Sequence, residues 1–167
     1  MIKIKSKKIS SKELKGHLDK LNKNGYTIVR NFFSKNTIEQ LLKLTNQKFK
    51  LQNKEKKKIK TPKVWNKADI IYNLQNKDIN YIKILQNKFF EDICISKLND
   101  PHYRSSKKNI PNYILNNYIA RSSGKGSLFL HIDSGIPTGD VTTFIQIMIP
   151  LERTVRENGC TVVVPKS

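Results

Sequence analysis

The chain has 167 residues, of which 37% are hydrophobic, and a formal net charge of +19. This length is enough to bury a core and favours a single domain. No apolar run approaches the roughly 20 residues of a membrane-spanning helix, and the basic N-terminus lacks the apolar segment of a secretory signal. Cys94 and Cys160 lack metal-type spacing, which indicates reduced thiols in a cytoplasmic protein.

The positive charge is concentrated before residue 128. Residues 128–167 carry three basic and four acidic side chains, a net charge of −1, so residues 1–127 carry +20. This asymmetry raises the alternative of a basic module that binds nucleic acid or an anionic surface without enzymatic activity. Most of the basic residues are Lys rather than Arg and are not interleaved with aromatic residues. A solvated lysine-rich surface is the simpler interpretation, and we expect no nucleic-acid partner.

The first half of the chain is predicted to be mainly helical. Ser10 and Glu13 have the spacing of a capping box, and Asn24-Gly25 is typical of a helix end. Residues 26–33 are rich in β-branched and aromatic residues and predict a strand. Ser34 is the predicted N-cap of a second helix. The helical spacing of its apolar face marks Ile38, Leu41, Leu42, Thr45 and Phe49 as buried.

A third helix is predicted between Asp78, as its N-cap, and the Asn99-Asp100-Pro101 stop. From residue 113 onward the pattern changes to strands at short spacing, predicted at 113–120, 127–133, 142–149 and 160–164. A turn is expected at residues 156–159, with Gly159 at positive φ. Helices followed by strands indicate an α+β domain with a β-sandwich or barrel core.

His131-Ile132-Asp133 is the motif that points to chemistry. It follows an apolar run and precedes a Gly/Pro-rich segment, so it is predicted at the end of a strand. Residues i and i+2 of a strand project from one face, which directs the imidazole and the carboxylate into the same pocket. Two His and one carboxylate form the metal site of non-haem Fe(II) oxygenases. His131 and Asp133 are therefore candidate iron ligands.

The chain contains a second His-x-Asp pair, His17-Leu18-Asp19, which serves as an internal control. This pair lies in the first predicted helix, where residues i and i+2 are about 200° apart around the axis. The two side chains cannot easily bind one ion, so we interpret this pair as structural. His102 lies in a predicted loop, and it too is expected to be exposed or locally bonded rather than bound to metal.

The ordered set of motifs resembles the phytanoyl-CoA dioxygenase family of Fe(II)/2-oxoglutarate-dependent oxygenases. At the N-terminal end the resemblance rests on Gly25-Tyr26 and the following apolar segment, then a helix beginning near Ser34. At the C-terminal end it rests on His131-x-Asp133 and three further motifs in the same order. Those motifs are Ile147-Met148-Ile149-Pro150-Leu151, Glu157-Asn158-Gly159-Cys160 and Val164-Pro165-Lys166-Ser167.

The resemblance implies N-terminal helices packed on a double-stranded β-helix, or jelly-roll, core. It also implies that His131 and Asp133 bind Fe(II), with 2-oxoglutarate and O2 as co-substrates. The reaction would be hydroxylation of a small-molecule or lipid-like substrate. Members that halogenate have a small residue in place of the carboxylate ligand, so Asp133 favours hydroxylation. Gln146 and Met148 share one strand face, which the resemblance directs toward the cofactor, although a plain core or surface strand is the alternative.

The resemblance also implies that the domain is C-terminally truncated, with residues 1–110 as its helical part and residues 111–167 as the first jelly-roll strands. The third ligand, a His, and the Arg that pairs with 2-oxoglutarate are expected beyond Ser167. We therefore expect the 167-residue chain to be inactive and unstable on its own. Arg121 could meet an anionic ligand, but a surface position is favoured. A degenerate jelly-roll without metal is the remaining alternative.

Overall fold

The computed structural model describes residues 2–58, 70–98, 113–122, 130–131 and 142–166. Within them it has four α-helices: α1 (Ser11–Asn24), α2 (Lys35–Lys58), α3 (Ile79–Leu85) and α4 (Lys88–Leu98). Two short strands, β1 (Ile70–Ile71) and β2 (Ala120–Arg121), pair in antiparallel register. The α+β class predicted from the sequence is confirmed, whereas the described residues do not show a jelly-roll core. None of the described helices is both long and apolar enough to cross a bilayer.

Helix α1 begins and ends where its sequence predicts. The Ser10 hydroxyl accepts a hydrogen bond from the Glu13 amide, and the Glu13 carboxylate accepts one from the Ser10 amide at 3.0 Å. These two bonds pair amides that the first turn of a helix leaves without partners. At the other end Gly25 has φ 79°, a left-handed conformation that closes the helix and that a residue without Cβ adopts at little cost. The capping box and the glycine stop are confirmed.

The strand predicted at residues 26–33 is wrong. This segment forms only one isolated bridge, between Phe33 and Ser6. Around that bridge the Lys7 amide donates to the Phe32 carbonyl and the Ser34 amide to the Lys5 carbonyl. Asn31 has φ 53°, which turns the backbone out of the extended conformation just before the bridge. The β-branched residues before it therefore have no ladder to join.

Helix α2 contributes the centre of the core. Leu41 is 1% exposed, and Thr45 is also buried, as the periodicity predicts. The Ser34 hydroxyl accepts from the Thr37 amide, which confirms Ser34 as the cap. The other fully buried side chain, Thr37, was not predicted. Its hydroxyl accepts from the Lys5 amide at 3.0 Å and so holds the N-terminal segment against the helix.

The single helix predicted from Asp78 to residue 99 is in fact two helices. Asp78 caps α3, since its carboxylate accepts from the Asn80 amide, and this part of the prediction is confirmed. The helix then ends at Leu85, and α4 begins at Lys88. Between them the Asn87 side chain accepts from the Phe89 amide, which starts a new helix at the point where the first one ends. Periodicity does not detect this break because apolar residues continue on both sides of it.

The helices and the residues between them form one apolar core. Its buried members come from residues 32–33, α2, β1, the 3-10 turn Leu74–Asn76, α3 and α4. They are Phe32, Phe33, Leu41, Ile71, Leu74, Tyr81, Ile84, Phe89 and Ile93. Phe32 contacts Phe33 and Phe89 with ring centroids 4.8 Å and 5.3 Å apart. The core is thus a helical one, filled chiefly by side chains from the first 98 residues.

Within the described residues, the segments predicted as strands at 113–120, 142–149 and 160–164 do not form the predicted ladders. Only Ala120 and Arg121 pair, with Ile71 and Ile70 respectively. The other two segments are neither helix nor strand. A strand needs a partner at the right register, and a β-rich composition alone does not supply one. Of the strand predicted at 127–133 the structure describes Leu130 and His131, which are neither helix nor strand. The other residues of that strand lie outside the described residues.

The C-terminal part contacts the helical core at a few points. The Leu74 amide donates to the Tyr118 carbonyl at 3.0 Å, and the Tyr118 hydroxyl donates to the Tyr81 carbonyl at 3.4 Å. Burial raises the pKa of the Tyr118 hydroxyl above its usual range. Farther along, the Lys166 amide donates to the carbonyl of Asn24 at the end of α1. Four more apolar side chains of this part pack against the core: Ala120, Ile145, Ile149 and Leu151.

Candidate functional site

Of the two candidate metal ligands, the structure describes His131 but not Asp133. His131 is exposed, and the side chain of the preceding Leu130 is 73% exposed. Asp133 and Ile132 lie outside the described residues. The predicted meeting of His131 and Asp133 in one pocket therefore stays a prediction. His102 also lies outside the described residues.

The donor types of the pair fit iron. An imidazole nitrogen and a carboxylate oxygen are both ligands of non-haem Fe(II), and His131 lies at the surface rather than within the helical core. Among the residues that the structure describes, no group of three or more His, Cys, Asp and Glu side chains is placed to hold a metal ion. The pair would supply two ligands of a triad, and the third has to come from another position.

The contacts of the control pair, His17 and Asp19, indicate a packing role for His17. Both residues lie in α1, with His17 partly buried and Asp19 exposed. The His17 Nδ1 atom is 2.8 Å from the Thr27 hydroxyl, and the ring meets the edge of Phe89 at 5.6 Å. Burial, assisted by the charge of Lys20, lowers the pKa of the His17 imidazole. His17 thus joins α1 to the segment after it and to α4, as the structural interpretation requires.

Gln146 and Met148 are both exposed, whereas Ile145 and Ile149 pack against the core. That Gln146 and Met148 share one strand face stays a prediction. The Met148 sulfur accepts a hydrogen bond from the Thr161 hydroxyl at 3.6 Å, so residues near 148 and 161 lie side by side. This proximity was not predicted from the sequence, in which the two residues are 13 positions apart. A role in cofactor binding stays a prediction.

Glu157-Asn158-Gly159 forms a turn, as predicted. Arg156–Asn158 is a single 3-10 turn, and Gly159 closes it with φ 84°. The Asn158 side chain accepts from the Val155 amide at 2.7 Å and donates to the Arg153 carbonyl at 2.8 Å. Asn158 therefore shapes the backbone of the turn. Its side-chain amide is satisfied inside the turn, which explains the motif without a catalytic role.

Arg121 and the two cysteines are the other residues that the sequence analysis considered for a ligand or a reactive group. Arg121 is exposed on β2, opposite Ile70, as expected for a surface residue. Cys94 and Cys160 are both free thiols, and burial raises the pKa of the Cys94 thiol. A raised pKa keeps a thiol protonated and weakly nucleophilic at neutral pH. Cys94 therefore adds no reactive thiol to the candidate site.

One comparison with known proteins identifies a family. The family model described as phytanoyl-CoA dioxygenase (PhyH) matches residues 21–167, which is most of the chain and includes both His131 and Asp133. No curated protein and no solved structure matched the chain. The match gives no support to the alternative of a nucleic-acid-binding module.

Proposed function

Because the chain belongs to the phytanoyl-CoA dioxygenase (PhyH) family, we propose that it functions as an Fe(II)/2-oxoglutarate-dependent dioxygenase. The family match over residues 21–167 is the observation that carries the proposal, since it extends across the His-x-Asp motif. The strand-and-loop sequence context of that motif supports it further. The structural role of the other pair, His17 and Asp19, leaves His131 and Asp133 as the pair for the metal.

In this proposal His131 and Asp133 bind the iron together with a His expected beyond Ser167. Iron held there would supply the chemistry of the family, in which O2-dependent decarboxylation of 2-oxoglutarate to succinate and CO2 is coupled to hydroxylation of a substrate C–H bond. The His131 imidazole and the Asp133 carboxylate would hold the metal as two of its protein ligands. A carboxylate at position 133 keeps the halide position of halogenating members filled, so the proposed reaction is hydroxylation.

The protein around the metal would position the co-substrate and exclude water. We propose that residues 111–167 contribute strands to a jelly-roll core, which the family implies, with residues 1–110 packed against it as helices. Gln146 and Met148 are the proposed cofactor-facing residues of this part. Their exposure and the neighbouring Thr161 support an accessible face there.

The proposed substrate is a small molecule or a lipid-like compound. The proposed location of the protein is the cytoplasm. The free state of Cys94 and Cys160 supports a reducing compartment. Residues 128–167 carry a net charge of −1. This supports a site that binds its substrate without using the basic surface of the N-terminal part.

The test is Fe(II)-dependent formation of succinate from 2-oxoglutarate by the protein with its complete domain. We expect His131→Ala and Asp133→Ala each to abolish succinate formation, because each removes a metal ligand. Asp19→Ala is the matched control, since Asp19 is exposed on α1 in a motif of the same spacing, and it should leave the rate unchanged. Succinate formation that persists in the His131→Ala and Asp133→Ala variants would reject the assignment.

A further inference from the structure

The residues that precede α1 lie across the helical region. We call residues 2–9 the N-terminal strap. At its start, the Ile2 amide donates a hydrogen bond to the side-chain oxygen of Asn80 on α3 at 2.9 Å. In its middle, the Ser6 hydroxyl accepts one from the side chain of Asn87, between α3 and α4, at 3.0 Å. The strap therefore contacts α3 and the junction that follows it, far along the chain from its own position.

The surface under the strap binds backbone groups. We call it the seat; it is formed by Phe32, Phe33, Ser34, Thr37 and Asn80. The Phe32 carbonyl accepts from the Lys7 amide at 2.6 Å, and the Ser34 amide donates to the Lys5 carbonyl at 3.0 Å. The Thr37 hydroxyl and the Asn80 side-chain oxygen accept from two further strap amides. Backbone bonds of this kind are the means by which proteins bind peptides in extended form.

Burial alternates along the first half of the strap. Ile2 and Ile4 are partly buried and pack against the core, whereas Lys3 and Lys5 are exposed. A period of two is that of an extended segment, whose successive side chains point to opposite sides. The seat is uncharged and contacts the apolar side, so the lysines take no part in recognition by it. It therefore fits a peptide with apolar side chains at alternate positions.

The strap is separable from the core that it covers. The nine buried apolar residues of the core all lie at or after Phe32, and the apolar side chains of the strap are only partly buried. The match to the family model begins at residue 21, so the strap also precedes the part of the chain that the family shares. A segment with little buried apolar surface opens locally at a lower free energy than the core unfolds.

We propose that the N-terminal strap is a releasable ligand of the seat. It opens as one unit while the helical core stays folded, and the open seat binds an extended peptide with apolar side chains at alternate positions. The inference is independent of iron binding. Because the strap is tethered, it competes with a free peptide at an effective concentration in the millimolar range, so a competing peptide has to be supplied at about that concentration.

The experiment is hydrogen exchange of the ¹⁵N-labelled 167-residue chain, followed by nuclear magnetic resonance. The Lys5 and Lys7 amides report the strap, the Ser34 amide reports the seat, and the Leu41 amide, within α2, reports the helical core. We expect the first three to exchange through one common opening, at least about a hundredfold more populated than the opening that exposes Leu41. Exchange of all four amides through the same opening would overturn the proposal, because the strap would then be a fixed part of the core.

Two variants test which side of the strap the seat holds. Ile4→Ala should increase exchange of the strap and seat amides about tenfold and leave the Leu41 amide unchanged, because it removes an apolar contact with the core. Lys3→Ala is the matched control, since Lys3 is the exposed neighbour, and it should leave all of these amides unchanged. Equal effects of the two substitutions would contradict recognition of the apolar side.

An unlabelled peptide with the sequence of residues 1–9, added at about millimolar concentration, tests binding by the open seat. We expect exchange of the Lys5 and Lys7 amides to increase severalfold, because the strap is displaced. The Ser34 amide should stay protected, because the peptide takes the place of the strap. A peptide of the same residues in an order without the alternation is the control and should change nothing. Strap exchange that the matching peptide does not alter, or a Ser34 amide that loses protection together with Lys5, would reject a peptide-binding seat.

Discussion

The helical region, residues 2–58 and 70–98, and the C-terminal region, residues 113–122, 130–131 and 142–166, differ in what holds them in place. The helical region has a shared apolar core, capped helices and buried polar side chains with partners. In its described residues the C-terminal region has one two-residue strand and one 3-10 turn, contacts that core at a few points and leaves large apolar side chains exposed. The lesson is that helices can form from local signals, whereas strands remain open until a partner at the right register covers them.

The largest difference between the two regions is expected in the cost of truncating an apolar side chain. Leu41→Ala should lower the free energy of unfolding by about 2–5 kcal/mol, because Leu41 is 1% exposed and its loss leaves a cavity. Ile114→Ala should change it by less than about 0.5 kcal/mol, since Ile114 is 87% exposed. Urea denaturation of the two variants measures both. Equal costs would show that the C-terminal region has a core of its own.

A second prediction concerns the buried Thr37 hydroxyl. Thr37→Val should cost about 1–3 kcal/mol of unfolding free energy, because the isosteric side chain leaves the Lys5 amide without its partner. Thr143→Val, at an exposed position of the C-terminal region, should be nearly neutral. Hydrogen exchange of the Lys5 amide gives a local readout. Unchanged protection of that amide in Thr37→Val would show that the N-terminal segment is held by other contacts.

The helix and turn ends and the buried Thr37 show how far the sequence predicts the fold. Ser10, Glu13, Gly25 and Gly159 were predicted correctly because each acts on backbone groups only a few residues away. Thr37 was missed because its partner, Lys5, is 32 residues away and no periodicity marks a buried hydroxyl. The strands were predicted from β propensity, which reports what a residue can do in a sheet but not whether the sheet is there. The sequence shows that His131 and Asp133 are residue types that bind a metal. Whether their side chains meet in space depends on strand pairing that the sequence does not show.

A smaller effect is expected at the start of α1. Ser10→Ala should lower the free energy of unfolding by about 1 kcal/mol, because the Glu13 amide loses its acceptor. The hydrogen bonds from Lys7 and Ser10 hold the pKa of the Glu13 carboxyl at about 2. A depressed carboxyl pKa stabilises the fold at pH values above the unfolded-state pKa, and this contribution is lost as the pH falls toward the folded-state value. Denaturation of wild type and variant at neutral and acidic pH should therefore show the difference shrinking in acid.

The smallest effect is the pH dependence contributed by His17. Its pKa is lowered by burial, so the folded state favours the neutral imidazole and the unfolded state binds more protons in mild acid. Stability from this residue is present above the unfolded-state pKa and decreases as the pH falls below it. His17→Gln should flatten the change in unfolding free energy between neutral and mildly acidic pH. An identical slope in wild type and His17→Gln would contradict the burial of the ring.

The measurement that tests the central claim most directly is metal binding by the two His-x-Asp pairs. Isothermal titration of the protein with Fe(II) under anaerobic conditions, or with Co(II) as a stable substitute, compares His131→Ala with His17→Ala. We predict that His131→Ala and Asp133→Ala each weaken metal binding at least about tenfold, since each removes a ligand from a three-ligand site. His17→Ala should lower thermal stability but leave the metal affinity unchanged. Metal affinity that survives in His131→Ala and is lost in His17→Ala would contradict the assignment of the site.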